Sequence, residues 1–188
     1  MSESFRSGFV TFVGRPNVGK STLLNRILGT KVSIVSDKPQ TTRTQVRGVL
    51  NRPGVQIVFV DTPGIHKPRT ALGERLNATA VDTIGGVDVV CLVLDATAPI
   101  GRGDEFVAAK VPKNGIVVLN KVDAASRGQV IEQLARAGEF DFAEYFPVSA
   151  RTGDGVDALV DRLAELMPEG PQYYPDDMVT DVPEAFRV

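Results

Sequence analysis

The chain has 188 residues, 43% of them hydrophobic, and a formal net charge of −2. That is enough apolar material for one α/β domain with a full core, with or without a short appendage. The near-neutral balance carries no global signal for nucleic acid or membrane, and a single cysteine, Cys91, excludes an intramolecular disulfide. The N-terminal stretch MSESFRSGF lacks the apolar centre of a signal peptide, and no apolar run reaches the length of a membrane span. An intracellular, soluble protein is the expectation, with Cys91 an inert core thiol in the run Val89 to Leu94.

In chain order, a first strand is predicted from Gly8 to Val13 and a first helix from Gly19 to Leu28, stopped by Gly29. Between them Gly14 to Ser21 reads GRPNVGKS and fits G-x-x-x-x-G-K-[ST]. The strand–loop–helix context is what makes this a phosphate-binding loop. Gly14, Arg15, Pro16, Asn17, Val18 and Gly19 are placed to wrap an anion, the glycines letting backbone N–H groups turn inward. The helix that continues through Thr22 adds the positive end of its dipole. Lys20 sets a point charge on the outer phosphates, and the Ser21 hydroxyl is positioned to hold Mg²⁺.

Thr30 to Thr44 lacks a period and contains Pro39, so it reads as a loop of functional length. Thr44 to Asn51 and Val55 to Val60 are extended runs joined by a hairpin turn at Arg52-Pro53-Gly54, which gives one antiparallel strand. Asp61 to Thr70 is a second irregular stretch, followed by a helix from Ala71 to Ile84. Val87 to Asp95, Gly115 to Leu119 and Tyr145 to Val148 read as further buried strands. Helices are expected at Gly103 to Lys110, Arg127 to Ala137 and, strongly amphipathic, Val156 to Leu166. The alternation predicts a three-layer α/β/α domain over residues 1–167, with a mostly parallel six-stranded sheet and one antiparallel strand. From Pro168 the chain turns proline-rich and acidic, with the pair Tyr173-Tyr174. Residues 168–188 read as a tail or linker packed in part through its aromatics.

The choice of nucleotide comes from Asn120-Lys121-Val122-Asp123, placed directly after a strand. Asp123 can accept hydrogen bonds from the ring N–H and the exocyclic amine of guanine. Adenine lacks that amine, and each lost charged hydrogen bond is worth roughly 1.5–3 kcal/mol. Lys121 can lay its stem along the base, while Asn120 ties the motif to neighbouring loops. Ser149, Ala150 and Arg151 are placed to present backbone N–H groups to the guanine carbonyl. Asp61, in Asp61-Thr62-Pro63-Gly64, suits Mg²⁺ held through water, and the Gly64 N–H can reach the γ-phosphate. Pro39-Gln40-Thr41-Thr42-Arg43 offers two hydroxyls, of which one, Thr41 or Thr42, ligates Mg²⁺ when the γ-phosphate is present. Lys20, Thr42 and Gly64 are thus the expected catalytic groups.

The ordered set GRPNVGKS, PQTTR, DTPG, NKVD and SAR resembles a translation-factor-class P-loop GTPase domain. The TTR switch, the spacing to DTPGIHKP and the tail GPQYYPDDMVTD make it similar to the Era family of ribosome-assembly GTPases. The resemblance implies a Mg²⁺-dependent GTPase with GTP and GDP as ligands. It also implies a role in small-subunit assembly through 16S rRNA, with peripheral association at the inner membrane and a cytoplasmic location. RNA binding in that family lies in a C-terminal KH domain, which is not recognisable before Val188. A monomer is expected, and DNA is not an expected partner. Alternatives are the G domain of a Der- or MnmE-like GTPase, or a GTP-binding module with negligible turnover.

Where Ras-like GTPases place a water-orienting glutamine, this chain has Ile65. Asn17 is a candidate K⁺ ligand that would compensate, by analogy with related TTR-type GTPases. The alternative is that Asn17 serves only a left-handed turn. His66 reads as a solvated side chain rather than a base. Lys31, Lys38, Arg43 and Arg47 make the first switch region basic, for RNA phosphates or for the nucleotide alone.

Overall fold

Residues 4–29, 45–61 and 86–175 are described by the structure, a computed structural model. Their elements are β1 (Arg6–Val13), α1 (Lys20–Leu28), β2 (Gln45–Arg52), β3 (Val55–Asp61), β4 (Val89–Asp95), α2 (Arg102–Ala108), β5 (Ile116–Asn120), α3 (Arg127–Gly138), β6 (Glu144–Pro147) and α4 (Val156–Leu166). The sheet order is β2-β3-β1-β4-β5-β6. Among the described strands only β2 and β3 pair antiparallel, so the architecture is the expected one. The Thr30–Thr44 loop, all but the first residue of the Asp61–Thr70 stretch, and the whole of the 71–84 helix span lie outside the described residues.

The strands read as near-continuous apolar runs because both faces of the sheet are covered. In β4, Val89, Cys91 and Val93 enter the cluster that buries Leu23 and Leu24 of α1 and Leu159 and Leu163 of α4. Val90, Leu92 and Leu94 enter the opposite cluster with Val107 of α2 and Ala137 of α3. Burial pushes the Cys91 thiol far up in pKa, as an inert core thiol requires. Helix α1 ends at Gly29, whose φ of 90° is open to glycine without strain. The hairpin is tighter than expected, because β2 runs through Arg52 and leaves Pro53-Gly54 as its turn.

Two expectations need correction. The strand expected from Tyr145 to Val148 is β6, and it is half-buried rather than buried. Among the described residues it pairs only with β5, and it carries Pro147 at its end, as an edge strand can. The first strand starts at Arg6, two residues before the expected Gly8, because its pairing with β3 begins at Arg6 opposite Val55, while the chain after α4 lines its other edge. Strand β4 pairs with β1 only from Val10 onward. Below that point the Phe9 N–H donates to Asp88 Oδ2 at 2.8 Å, and the Ser7 N–H donates to the Pro168 carbonyl at 3.0 Å.

Residues 168–175 form a strap across this end of the sheet. The Gly170 N–H donates to the Phe5 carbonyl, and Arg6 and Glu169 form an antiparallel bridge. Gln56 of β3 is completely buried, and its Oε1 accepts from the N–H groups of Tyr173 and Tyr174 at 3.0 and 3.1 Å. Its Nε2 donates to the Tyr174 carbonyl and to Asn51 Oδ1. The Tyr173 ring lies 5.0 Å from that of Phe9.

Candidate nucleotide-binding site

Parallel strands of this order bring their C-terminal ends to one edge, where sheets of this kind bind ligands. That edge carries Gly14 to Gly19 after β1, Asp61 at the end of β3, Asn120 at the end of β5, and Ser149 after β6. The loop after β1 is narrow because of what lies behind it. Gly19 has φ of 100°, and a Cβ there would run into the Asn120 side-chain amide. Only glycine meets both conditions.

Asn120 is 2% exposed and joins three segments. Its Nδ2 donates to the Val18 carbonyl of the phosphate loop at 3.0 Å, and its Oδ1 accepts from the Ala150 N–H at 3.0 Å. The tie expected of Asn120 is therefore present. Lys121 makes a second tie: its Nζ donates to the Asn17 carbonyl at 2.7 Å and to Asp95 Oδ2 at 3.0 Å. Both ends of that tie are left-handed, with φ of 71° at Asn17 and 69° at Lys121. Each such residue costs roughly 1–2 kcal/mol, which the hydrogen bonds around them must offset. Asp95 is oriented in turn by the N–H and hydroxyl of Thr97. Partial burial works against its charge, but the Thr97 hydrogen bonds and Lys121 prevail and hold the carboxyl below its ordinary range.

Asp123 is exposed, with Oδ1 accepting from the Ser149 hydroxyl at 2.7 Å. Ser149 thus holds the Asp123 carboxylate through its side chain, whereas the sequence reading placed its backbone N–H toward a guanine carbonyl. Its own N–H donates to the Asp154 carbonyl. The Arg15 Nε donates to Asp104 Oδ1 at 2.9 Å, so the side chain is held against the start of α2. Lys20 Nζ donates to the Gly14 carbonyl at 2.6 Å, across the mouth of the loop. Ser21 and Thr22 are exposed on the first turn of α1, Val18 is buried beneath the loop, and Pro16 is exposed on it. Thr41, Thr42, Gly64, Ile65 and His66 lie outside the described residues, as does the Asp61 side chain.

A family model described as a 50S ribosome-binding GTPase matches residues 9–121. GTPase Era of Clostridium botulinum (strain Eklund 17B / Type B) is 50% identical over 188 residues, which cover 98% of this chain and 64% of the relative. The chain belongs to the Era family of GTPases. It spans just under two thirds of the length of the curated Era relatives it matches. Among solved structures, a variant of Aquifex aeolicus Era bound to GDP·AlF4⁻ has a TM-score of 0.76 at 38% identity, covering 96% of this chain and 63% of that one. Era in complex with MgGDPNP and nucleotides 1506–1542 of 16S ribosomal RNA has a TM-score of 0.77 at 39% identity, covering 95% and 63%.

Against the Era motifs, the residues that sequence reading missed are the supporting ones: Asp95, Asp104 and Arg26. Arg26 stands four residues after Thr22 on α1, hence on the same helix face, and that spacing was the available signal. None of the three belongs to a motif, and each acts on a segment distant in the chain.

Proposed function

We propose that this chain is the guanine-nucleotide switch of an Era-type protein, binding GTP with Mg²⁺ and hydrolysing it to GDP and phosphate. The carrying observation is the double tie of Asn120, which fixes the phosphate loop and the guanine-reading loops in one frame. Gly14 to Thr22 cradle the phosphates, Asp123 takes the N–H and amine of the base, and Ser149, Ala150 and Arg151 close the base side. Competition titrations against a fluorescent GDP test this. GTP and GDP should displace it and ATP should not, whereas Asp123→Asn should shift preference toward xanthine nucleotides. Equal displacement by ATP would contradict the reading.

The donors suit Mg²⁺. Ser21 borders a cavity of about 50 Å³ together with Lys20, Arg47 and Val60, and β3 leads to Asp61 at the same edge. A hydroxyl and a carboxylate are hard oxygen donors, and Mg²⁺ keeps water in its remaining positions. Ser21, Asp61 and Thr41 or Thr42 would hold the ion, and when bound it offsets charge on the β- and γ-phosphates. Lys20 shares that work, and Thr42 and Gly64 meet the γ-phosphate from the two switch segments. K⁺ held by Asn17 is part of the proposal. Its test is turnover in KCl against NaCl at equal ionic strength, for the natural chain and Asn17→Ala.

The biological setting is proposed from the family. It is small-subunit assembly with 16S rRNA as partner, in the cytoplasm and peripherally on the inner membrane, by a monomer. The solved Era complex with a 16S fragment supports the RNA partner. Residues 1–167 act as the switch, and residues 168–188 lead from it, the first eight of them as the strap along β1.

A further inference from the structure

We infer that Arg26 determines guanine specificity as a positioning residue, acting on the base-reading carboxylate of Asp123 through the Arg151–Thr152 peptide of the loop after β6. The inference rests on the guanine reading of the site and names what holds its selectivity in place. Arg26 lies in the last turn of α1, the helix that opens from the phosphate loop. Its Nε donates to the Ala150 carbonyl at 2.9 Å, and its Nη2 donates to the Arg151 carbonyl. A planar guanidinium carries such donors in a fixed fork, so it sets the direction of both carbonyls at once.

A trans peptide is rigid, so the direction of each C=O fixes that of the next N–H on the opposite side. The Arg151 carbonyl faces Arg26, and the Thr152 N–H on the same peptide donates to the Ser149 hydroxyl at 3.1 Å. That hydroxyl donates to Asp123 Oδ1 at 2.7 Å. The Ala150 carbonyl also faces Arg26, but it shares its peptide with the Arg151 N–H, so the donation of the Ala150 N–H to Asn120 Oδ1 lies on the preceding peptide unit. One guanidinium thus stands behind Asp123.

Ser149 is completely buried and Ala150 4% exposed, while Arg151 and Thr152 are exposed. At Ser149 and Ala150 solvent does not readily replace a lost protein partner. Gly153 closes the loop against the same side chain: a Cβ there would lie 3.8 Å from Arg26 Nη1.

Inosine diphosphate is the discriminating probe, because hypoxanthine keeps the ring N–H and carbonyl of guanine but lacks the exocyclic amine. The ratio of its dissociation constant to that of GDP therefore reports how firmly Asp123 is aimed. For the natural chain the ratio should be about tenfold or more, the value of one hydrogen bond to a carboxylate. Arg26→Met should weaken GDP about tenfold and inosine diphosphate about twofold, so that the ratio collapses several-fold. Arg26→Lys, with one point donor in place of the fork, should fall between and also guards against a variant that fails to fold. In an Asp123→Ala background, Arg26→Met should leave the ratio where it is. Equal weakening of both nucleotides, or an unchanged ratio in both Arg26 variants, would overturn the inference while leaving the guanine site standing. A natural chain that binds neither nucleotide would overturn the site reading itself.

Discussion

Replacing Asn120 by alanine tests the frame on which nucleotide selectivity depends. The substitution removes a donor 3.0 Å from the Val18 carbonyl and an acceptor 3.0 Å from the Ala150 N–H. Val18 is 1% exposed and Ala150 4% exposed, so neither backbone group finds water as a substitute. An unsatisfied buried polar group costs about 1–3 kcal/mol, so the pair should cost about 2–6 kcal/mol. For a domain of this size that corresponds to a fall of roughly 5–20 °C in melting temperature. Urea denaturation of the nucleotide-free chain measures the loss directly, and a fluorescent-GDP titration measures what it does to binding. GDP should weaken at least tenfold, because the phosphate loop and the base loops are no longer held in register. A stability loss below about 1 kcal/mol, with GDP affinity unchanged, would refute the claim that Asn120 joins these segments.

Gln56→Leu should destabilise the chain by about 2–4 kcal/mol, since it strands the backbone groups of Tyr173 and Tyr174. Hydrogen exchange should quicken at those two amides first, and unchanged exchange there would contradict the strap. Asp95 gives a pH signature: its folded pKa lies below the unfolded value, so its contribution is complete above about pH 3.9 and is lost as pH falls through the lower folded value. Asp95→Asn should therefore flatten the acid limb of the stability–pH curve below about pH 4, and an identical limb would count against the Lys121 and Thr97 contacts. Asp104→Asn keeps the shape but removes the charge that holds Arg15. It should speed GDP release a few-fold with little change in GDP-over-ADP preference, and stopped-flow dissociation that matches the natural chain would refute that role.

What could be read from the sequence was local. The phosphate loop is a turn between a strand and a helix, Gly29 stops that helix, and near-continuous apolar runs mark strands covered on both faces. Each of these depends on residues within a few positions of one another, so a pattern along the chain reports it. The contacts that were not legible join distant residues. Arg15 meets Asp104 on α2, Arg26 meets the loop after β6, and Gln56 meets Tyr174. Composition and period carry no record of which partner a side chain finds across the sheet. The same reason misjudged β6, whose apolar look comes from covering one side at an edge, and placed the start of β1 two residues late. At Asn17 the sequence left two readings open, and the backbone shows the left-handed turn of the second.

The most direct test of the account is single-turnover hydrolysis of GTP by the chain in the presence of Mg²⁺, with ATP as the parallel substrate. Phosphate should appear from GTP above the protein-free rate, fall to that rate on chelation of Mg²⁺, and not appear from ATP. Turnover of ATP at the same rate, or no GTP turnover above the protein-free rate in either K⁺ or Na⁺, would contradict it.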